Sequence, residues 1–125
     1  MSKIIPFDSG YLNAKKLLLV VNEGLPLEQQ LFVFTTQDQK TEILKVKQDR
    51  FEIVSEFEKE FGWAMQHGNQ LICDNYVYSL KDFKLLQTLM FPYISAGSSL
   101  TPKVIVLSES FRTNFSIFTW DNTTN

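Results

Sequence analysis

His67 and Cys73 are the only histidine and the only cysteine in the 125 residues. Brought together, a thiol and an imidazole form a nucleophile with its general base, and a third group orients the ring. Asn69 or Asp74 could take that third role. Their surroundings argue against the pair. His67 opens the polar stretch His67-Gly68-Asn69, whereas Cys73 follows Leu71 and Ile72, where a cysteine serves as a small, inert hydrophobe. Zinc fails on donor number, since one His and one Cys leave two positions to carboxylates in no recognised spacing. The sequence therefore predicts no catalytic residues, no metal ligands and no cofactor.

Three acids recur at every fourth position: Glu52, Glu56 and Glu60. Oxygen ligands in such a row could hold Mg²⁺, although glutamates at helical spacing ordinarily face solvent. Glycoside hydrolysis needs two acids flanking a cleft, and these would lie on a convex helix face. The five glycines are scattered, and no G-x-G or G-K-[ST] phosphate loop occurs. Lys40, Lys45, Lys47 and Arg50 cluster in sequence, and nearby aromatics could stack on bases. The glutamates that follow would repel a phosphate backbone, and lysines commonly guard the edge of a sheet. Neither an RNA-binding aromatic motif, a nucleotide loop nor a helix-turn-helix spacing is present.

The element that must carry the acidic row is a helix spanning about 50–65. Asp49 and Glu52 stand in the D-x-x-E relation of a capping box, near the positive end of the helix dipole. At 100° per residue, Ile53, Val54, Phe57, Phe61, Ala64 and Met65 share one apolar stripe. The glutamates take the other side, with Lys59 beside them. From Asp49 to Glu60, five acids (Asp49, Glu52, Glu56, Glu58, Glu60) face two bases (Arg50, Lys59), whereas the whole chain carries −2. If the helix runs past Gly62, Trp63 projects beside Glu56 and Glu60 as an interface anchor. If Gly62 ends it, Trp63 folds back into the core.

A second helix is expected over about 80–91, with Ser79 as N-cap, Asp82 three residues on, and Pro92 as its stop. Strands are expected at 3–7, 15–21, 31–36, 41–47, 70–73, 76–78, 103–107 and 114–120. Residues 8–10 and 108–113 read as turns, 95–101 as a flexible loop and 121–125 as a frayed tail. The arms at 31–36 and 41–47 form a hairpin with Leu44 and Val46 facing in. The expected fold is α+β: a mainly antiparallel or mixed sheet of roughly five to seven strands, with both helices packed on one face. Residues 1–125 read as a single domain.

Composition bounds the rest. A 44% hydrophobic, 21% charged chain has the make-up of a globular protein. The lone Cys73 excludes an internal disulfide and suits a reducing compartment. No signal peptide is visible, and the longest apolar run, Leu17 to Val21, is far short of the ~20 residues a spanning helix needs. A soluble, cytoplasmic protein is expected, with neither nucleic acid nor membrane as partner.

Two function classes compete. The first is a non-enzymatic protein-binding module that acts by occlusion, such as an immunity protein or inhibitor neutralising a toxin or nuclease. Its acidic helix face would meet a basic cleft through Glu52, Glu56, Glu60 and Trp63. The second is a small enzyme or ligand-binding domain. Its pocket between sheet and helices would be lined by Tyr76, Tyr78 and Phe83 with His67 and Cys73. A homo-oligomeric structural subunit, associating through the sheet face, is a third reading.

Overall fold

Gln48 and Asp49 both lie in the left-handed region, at φ 54° and 62°. Two successive positive φ values are the signature of a type I′ turn, whose twist matches that of paired antiparallel strands. The chain therefore reverses at the point where a helix was expected to begin. The computed structural model describes residues 11–90, 94–109 and 115–119. Among these there is no α-helix, and the described residues form eleven strands with one 3-10 turn at Leu27–Gln29. Its contacts divide it into two compact units, Met1–Glu60 and Phe61–Asn125.

The first unit holds β1 (Ala14–Val21), β2 (Leu31–Thr36), β3 (Thr41–Lys47) and β4 (Arg50–Phe57). They form an antiparallel meander in sequence order. The β2–β3 hairpin expected from its β-branched and aromatic residues is present, with Phe32 opposite Leu44 and Thr35 opposite Thr41. Burial falls on both faces of this sheet, since neighbouring Ile43 and Leu44 are each fully buried. On one face Phe32, Phe34 and Phe51 pack edge-on with centroids 5.3 and 5.8 Å apart, and Tyr11 joins them.

Strand β4 replaces the expected 50–65 helix. Its register against β3 shifts between Ile43 and Leu44, so that Ser55 opposes Ile43 and Ile53 opposes Leu44. The residue between them, Val54, is the extra one of a β-bulge. A bulge moves the side-chain alternation by one position. Phe51 and Ile53 stand on one face, opposite Val46 and Leu44, and Phe57 on the other, opposite Thr41. Read together with Val54 in the bulge, the apolar residues of both faces imitate the three-and-four spacing of a helix. Asp49 caps nothing; it occupies the turn.

The second unit holds two antiparallel meanders. One joins β5 (Ala64–His67), β6 (Gln70–Cys73), β7 (Tyr76–Ser79) and β8 (Leu85–Thr88); the other joins β9 (Ile94–Thr101), β10 (Val104–Glu109) and β11 (Phe115–Thr119). The hairpin expected near 103–120 is that of β10 and β11. The loop expected at 95–101 is instead strand β9, paired with β10 from Ile94↔Glu109 to Thr101↔Val104. The second expected helix, 80–91, is also absent. Phe83 takes φ 60°, which ends any right-handed helix, and residues 85–88 continue as β8. Ser79 and Asp82 still accept backbone N–H bonds, but from Lys81 and Lys84 two residues on. The same side chains that cap a helix here close tight turns.

The core of the second unit is Met65, Ile72, Val77, Ile94, Ile105 and Leu107, against which Trp63, Leu89 and Phe118 pack. It draws on both meanders. The expected strand at 3–7, the turn at 8–10, the Pro92 stop, most of the 108–113 turn, Trp120 and the tail lie outside the described residues. No helix among the described residues is long and apolar enough to cross a membrane.

Gly97 sets how closely β9 can approach this core. A Cβ there would sit 2.8 Å from both Met65 Sδ and Leu107 Cδ2, and 3.2 Å from the Val106 carbonyl oxygen. Met65 and Leu107 are themselves buried, with little room to withdraw. Gly97→Ala should therefore destabilise the protein by about 1–3 kcal/mol through overpacking. A shift of the urea midpoint without a change in slope would measure it.

Candidate functional site

The hairpin β3–β4 places Glu42 opposite Glu56. Like charges directly across a sheet repel, and Glu42 is only 4% exposed, so the pair must share its charge. Burial, the strongest influence, raises Glu42 above the ordinary carboxylate range, and the neighbouring Glu56 carboxylate adds to the shift. Glu56 moves the other way, held down by the hydrogen bond from Glu42 and then by Lys40. The physical picture is a carboxylic acid donating to a carboxylate. Tyr11 Oη donates to Glu42 Oε1 at 2.6 Å, and burial followed by that carboxylate lifts the phenol well above its usual range. Lys40 Nζ lies 3.3 Å from Glu56 Oε1 and 3.4 Å from Glu58 Oε2. Tyr11, Glu42, Glu56 and Lys40 thus form one chain of charge-assisted contacts, anchored at the β2–β3 turn by Asp38. The Thr36 hydroxyl and the Asn13 amide both donate to that aspartate.

The expected contact residues are not assembled into a row. In an unbroken strand Glu52 and Glu56 would share a face. The bulge at Val54 separates them, so Glu52 stands opposite Lys45 and Glu56 opposite Glu42, on opposite faces of the sheet. Each acid already has a lysine: Glu52 with Lys47 at 3.7 Å, Glu56 with Lys40, and Glu60 with Lys15 at 2.7 Å. Trp63 belongs to the second unit and packs, half-buried, on its core, with an indole N–H that meets no acceptor among the described residues. The acidic helix face that motivated the immunity-protein and inhibitor readings does not exist, because its residues are β4 and the segment after it.

His67 and Cys73 are also held apart. Their strands pair as His67↔Gln70 and Ala64↔Cys73, which puts the imidazole and the thiol on opposite faces of one sheet. Cys73 is fully buried, and desolvation, with Asp74 adding to it, drives its thiol far above the normal range. On that face Phe61, Tyr76 and Tyr78 pack with centroids 6.1 to 6.4 Å apart, and burial raises the Tyr78 phenol to about 12.

Sequence reasoning put His67 in a polar turn, but it ends β5 at 3% exposure. Its Nδ1 lies 2.6 Å from Ser99 Oγ, and its Nε2 lies 3.0 Å from the Pro102 carbonyl oxygen. Both partners come from the other meander, at the end of β9 and the turn after it. Nothing in the local sequence of residues 95–102 signals this partnership, which spans 32 residues. Across from His67, Gln70 is 5% exposed and its Oε1 has no partner among the described residues. No group of three or more His, Cys, Asp or Glu side chains among the described residues could hold a metal ion.

Two measurements follow from these environments. Glu42 keeps its proton in the folded protein at pH values where the unfolded chain has lost it. Folding then binds a proton, and stability falls as pH rises through the Glu42 titration. Glu42→Gln retains an acceptor for Tyr11 and should remove that part of the decline, which urea midpoints at pH 5 and pH 7 would reveal. Cys73 should resist a thiol reagent in the native state and react only on unfolding, and labelling as fast as a free thiol would contradict its burial. In comparisons with protein-family models, curated proteins and solved structures, nothing matches this chain.

Proposed function

We propose that this protein is a protein-binding module whose partner adds an extended, apolar segment to the outer edge of β8. The carrying observation is the character of that strand. β8 stands last in the order β5-β6-β7-β8, so one side of its backbone has no ladder partner among the described residues. All four residues, Leu85–Thr88, are exposed, with Leu85 at 52% and Leu86 at 43%. Met90 follows at 90% exposure. From Leu85 to Met90 there is no charge and no proline.

Both edges of the first unit are guarded: β1 carries Lys15 and Lys16, and β4 carries Arg50, Glu52 and Glu56. In the second unit the edges β5, β9 and β11 are uncharged like β8, but β5 buries Met65 and His67 and β9 buries Ile94, whereas β8 is exposed along its whole length. Charged edges deter pairing with another chain, whereas an uncharged edge with exposed leucines invites it. Strand addition would supply main-chain hydrogen bonds for affinity, and contacts at Leu85 and Leu86 for selectivity. The partner is accordingly a polypeptide with alternating apolar residues, met in the cytoplasm, where a lone buried cysteine suits the reducing conditions.

Affinity capture from the source cells, with wild type and Leu86→Lys side by side at two salt concentrations, tests this. A stoichiometric partner held by wild type at both salt levels and lost from a folded Leu86→Lys protein supports the edge. Binding that Leu86→Lys leaves intact, or that high salt abolishes, places the interface on charged surface instead.

A further inference from the structure

The Pro102 carbonyl gives the contact between a neutral His67 ring and Ser99 its direction. A carbonyl oxygen can only accept a hydrogen bond, so the ring nitrogen facing Pro102, Nε2 at 3.0 Å, carries the hydrogen. In the neutral ring Nδ1 is then the bare nitrogen, and it faces Ser99 Oγ at 2.6 Å. The hydroxyl therefore donates to the imidazole. That is the arrangement by which a weak alcohol nucleophile gains a base, with a third group fixing the tautomer of the ring. The third group here is a backbone carbonyl. Burial of His67 at 3% exposure holds the ring in place, while Ser99 itself is exposed.

We propose that Ser99 is a nucleophilic serine activated by His67, and that it accepts acyl groups from small activated esters. Ser99 Oγ attacks the ester carbonyl carbon as its proton passes to His67 Nδ1. The carbon–oxygen bond to the leaving alcohol or phenol then breaks, and that oxygen takes the proton back from Nδ1. The products are an acyl-serine and the free alcohol or phenol, with no oxidant or further reactant needed. Ser99 and His67 are the reacting groups, and the Pro102 carbonyl is a positioning group that also favours the transient positive charge on the ring.

The surroundings fit a small acyl group. Ser99 lies on β9, the edge of the order β11-β10-β9, so alternate N–H groups along that strand point away from β10. The neighbouring Ser98, Leu100 and Thr101 are exposed and carry no charge. They offer no counter-ion for an anionic acyl chain.

A fluorophosphonate and an activated phenyl acetate serve as probes, with labelled peptides identified by mass spectrometry. The folded protein should be modified at Ser99 ahead of its neighbours Ser95, Ser98 and Ser108, at least 10²-fold faster than the same serine in denaturing urea. Ser99→Ala should lose the labelling while remaining folded, at a lowered melting temperature because the buried His67 Nδ1 loses its partner. His67→Gln, if folded, should lose most of the rate while keeping the hydroxyl. Should His67→Gln not fold, the comparison of native and urea-unfolded wild type still decides. Labelling equal in the two states, spread over all serines, or undiminished in Ser99→Ala would overturn the proposal and leave the pair as a staple between β5 and β9.

Discussion

Left-handed backbone at a few non-glycine residues is the constraint on which the remaining structure depends. Asn22, Gln39, Gln48, Asp49, Asp74 and Phe83 all have φ between 53° and 66°. Each such residue costs about 1–2 kcal/mol against the right-handed alternative, with Asn and Asp toward the lower end. The cost is offset by what the turns permit: strands that return directly beside their predecessors and satisfy one another's backbone groups. Removing the reversal at Gln48-Asp49 would separate β3 from β4. Glu42 would then lose Glu56, and Lys40 would lose both its acids, Glu56 and Glu58. A local φ choice thus sets a cross-strand carboxyl pair.

The buried polar groups follow the same logic in both units. Glu42 is tolerable because Tyr11 donates to it, and because it can hold a proton against Glu56. His67 is tolerable because both ring nitrogens are bonded. Each joins segments distant in sequence, Tyr11 to β3 and β5 to the β9 region. A buried polar group with its partners in place restricts the strands to one register, since a one-residue slip would leave it unsatisfied. Gln70 Oε1 and Trp63 Nε1, which meet no partner among the described residues, mark the places where that accounting does not close.

How much of this was legible depended on whether the periodicity of a segment was intact. LFVFTT and TEILKVK show β-branched content and clean alternation, and their hairpin could be read directly. The 49–65 segment misled because two helical signals arose from other causes. Asp49 and Glu52 mimic a capping box, yet Asp49 is a turn residue, and the apolar spacing mixes residues from the two faces of β4 with the bulge residue Val54. A bulge is set by pairing with a neighbouring strand, which local sequence does not contain. The 79–90 segment misled similarly, since Ser79 and Asp82 serve turns as readily as caps. Small polar residues made 95–101 look like a loop, whereas its identity as β9 rests on β10 and on the room Gly97 leaves for Met65. Of the site, the glutamates could be named, but not their division between two faces. The His67–Ser99 contact joins two meanders and had no local signature.

The distribution of charge acquires a different meaning once the acidic segment is a strand. On a helix, the glutamates would form a single exposed stripe able to mimic a phosphate backbone. On β4 the bulge sends Glu52 and Glu56 to opposite faces, and lysines from β3 and the β2–β3 turn meet both. Long-range attraction for a basic partner requires uncompensated charge of one sign, and these pairings cancel most of it at distances beyond the Debye length, about 8 Å at physiological salt. What alternating charge does well is protect an edge, because an incoming strand would have to desolvate each pair. The acids of the first unit therefore act to keep β4 from accepting another chain. Leu85–Thr88 carries no such charge and is exposed throughout, and the search for a partner turns from the most charged strand to this one.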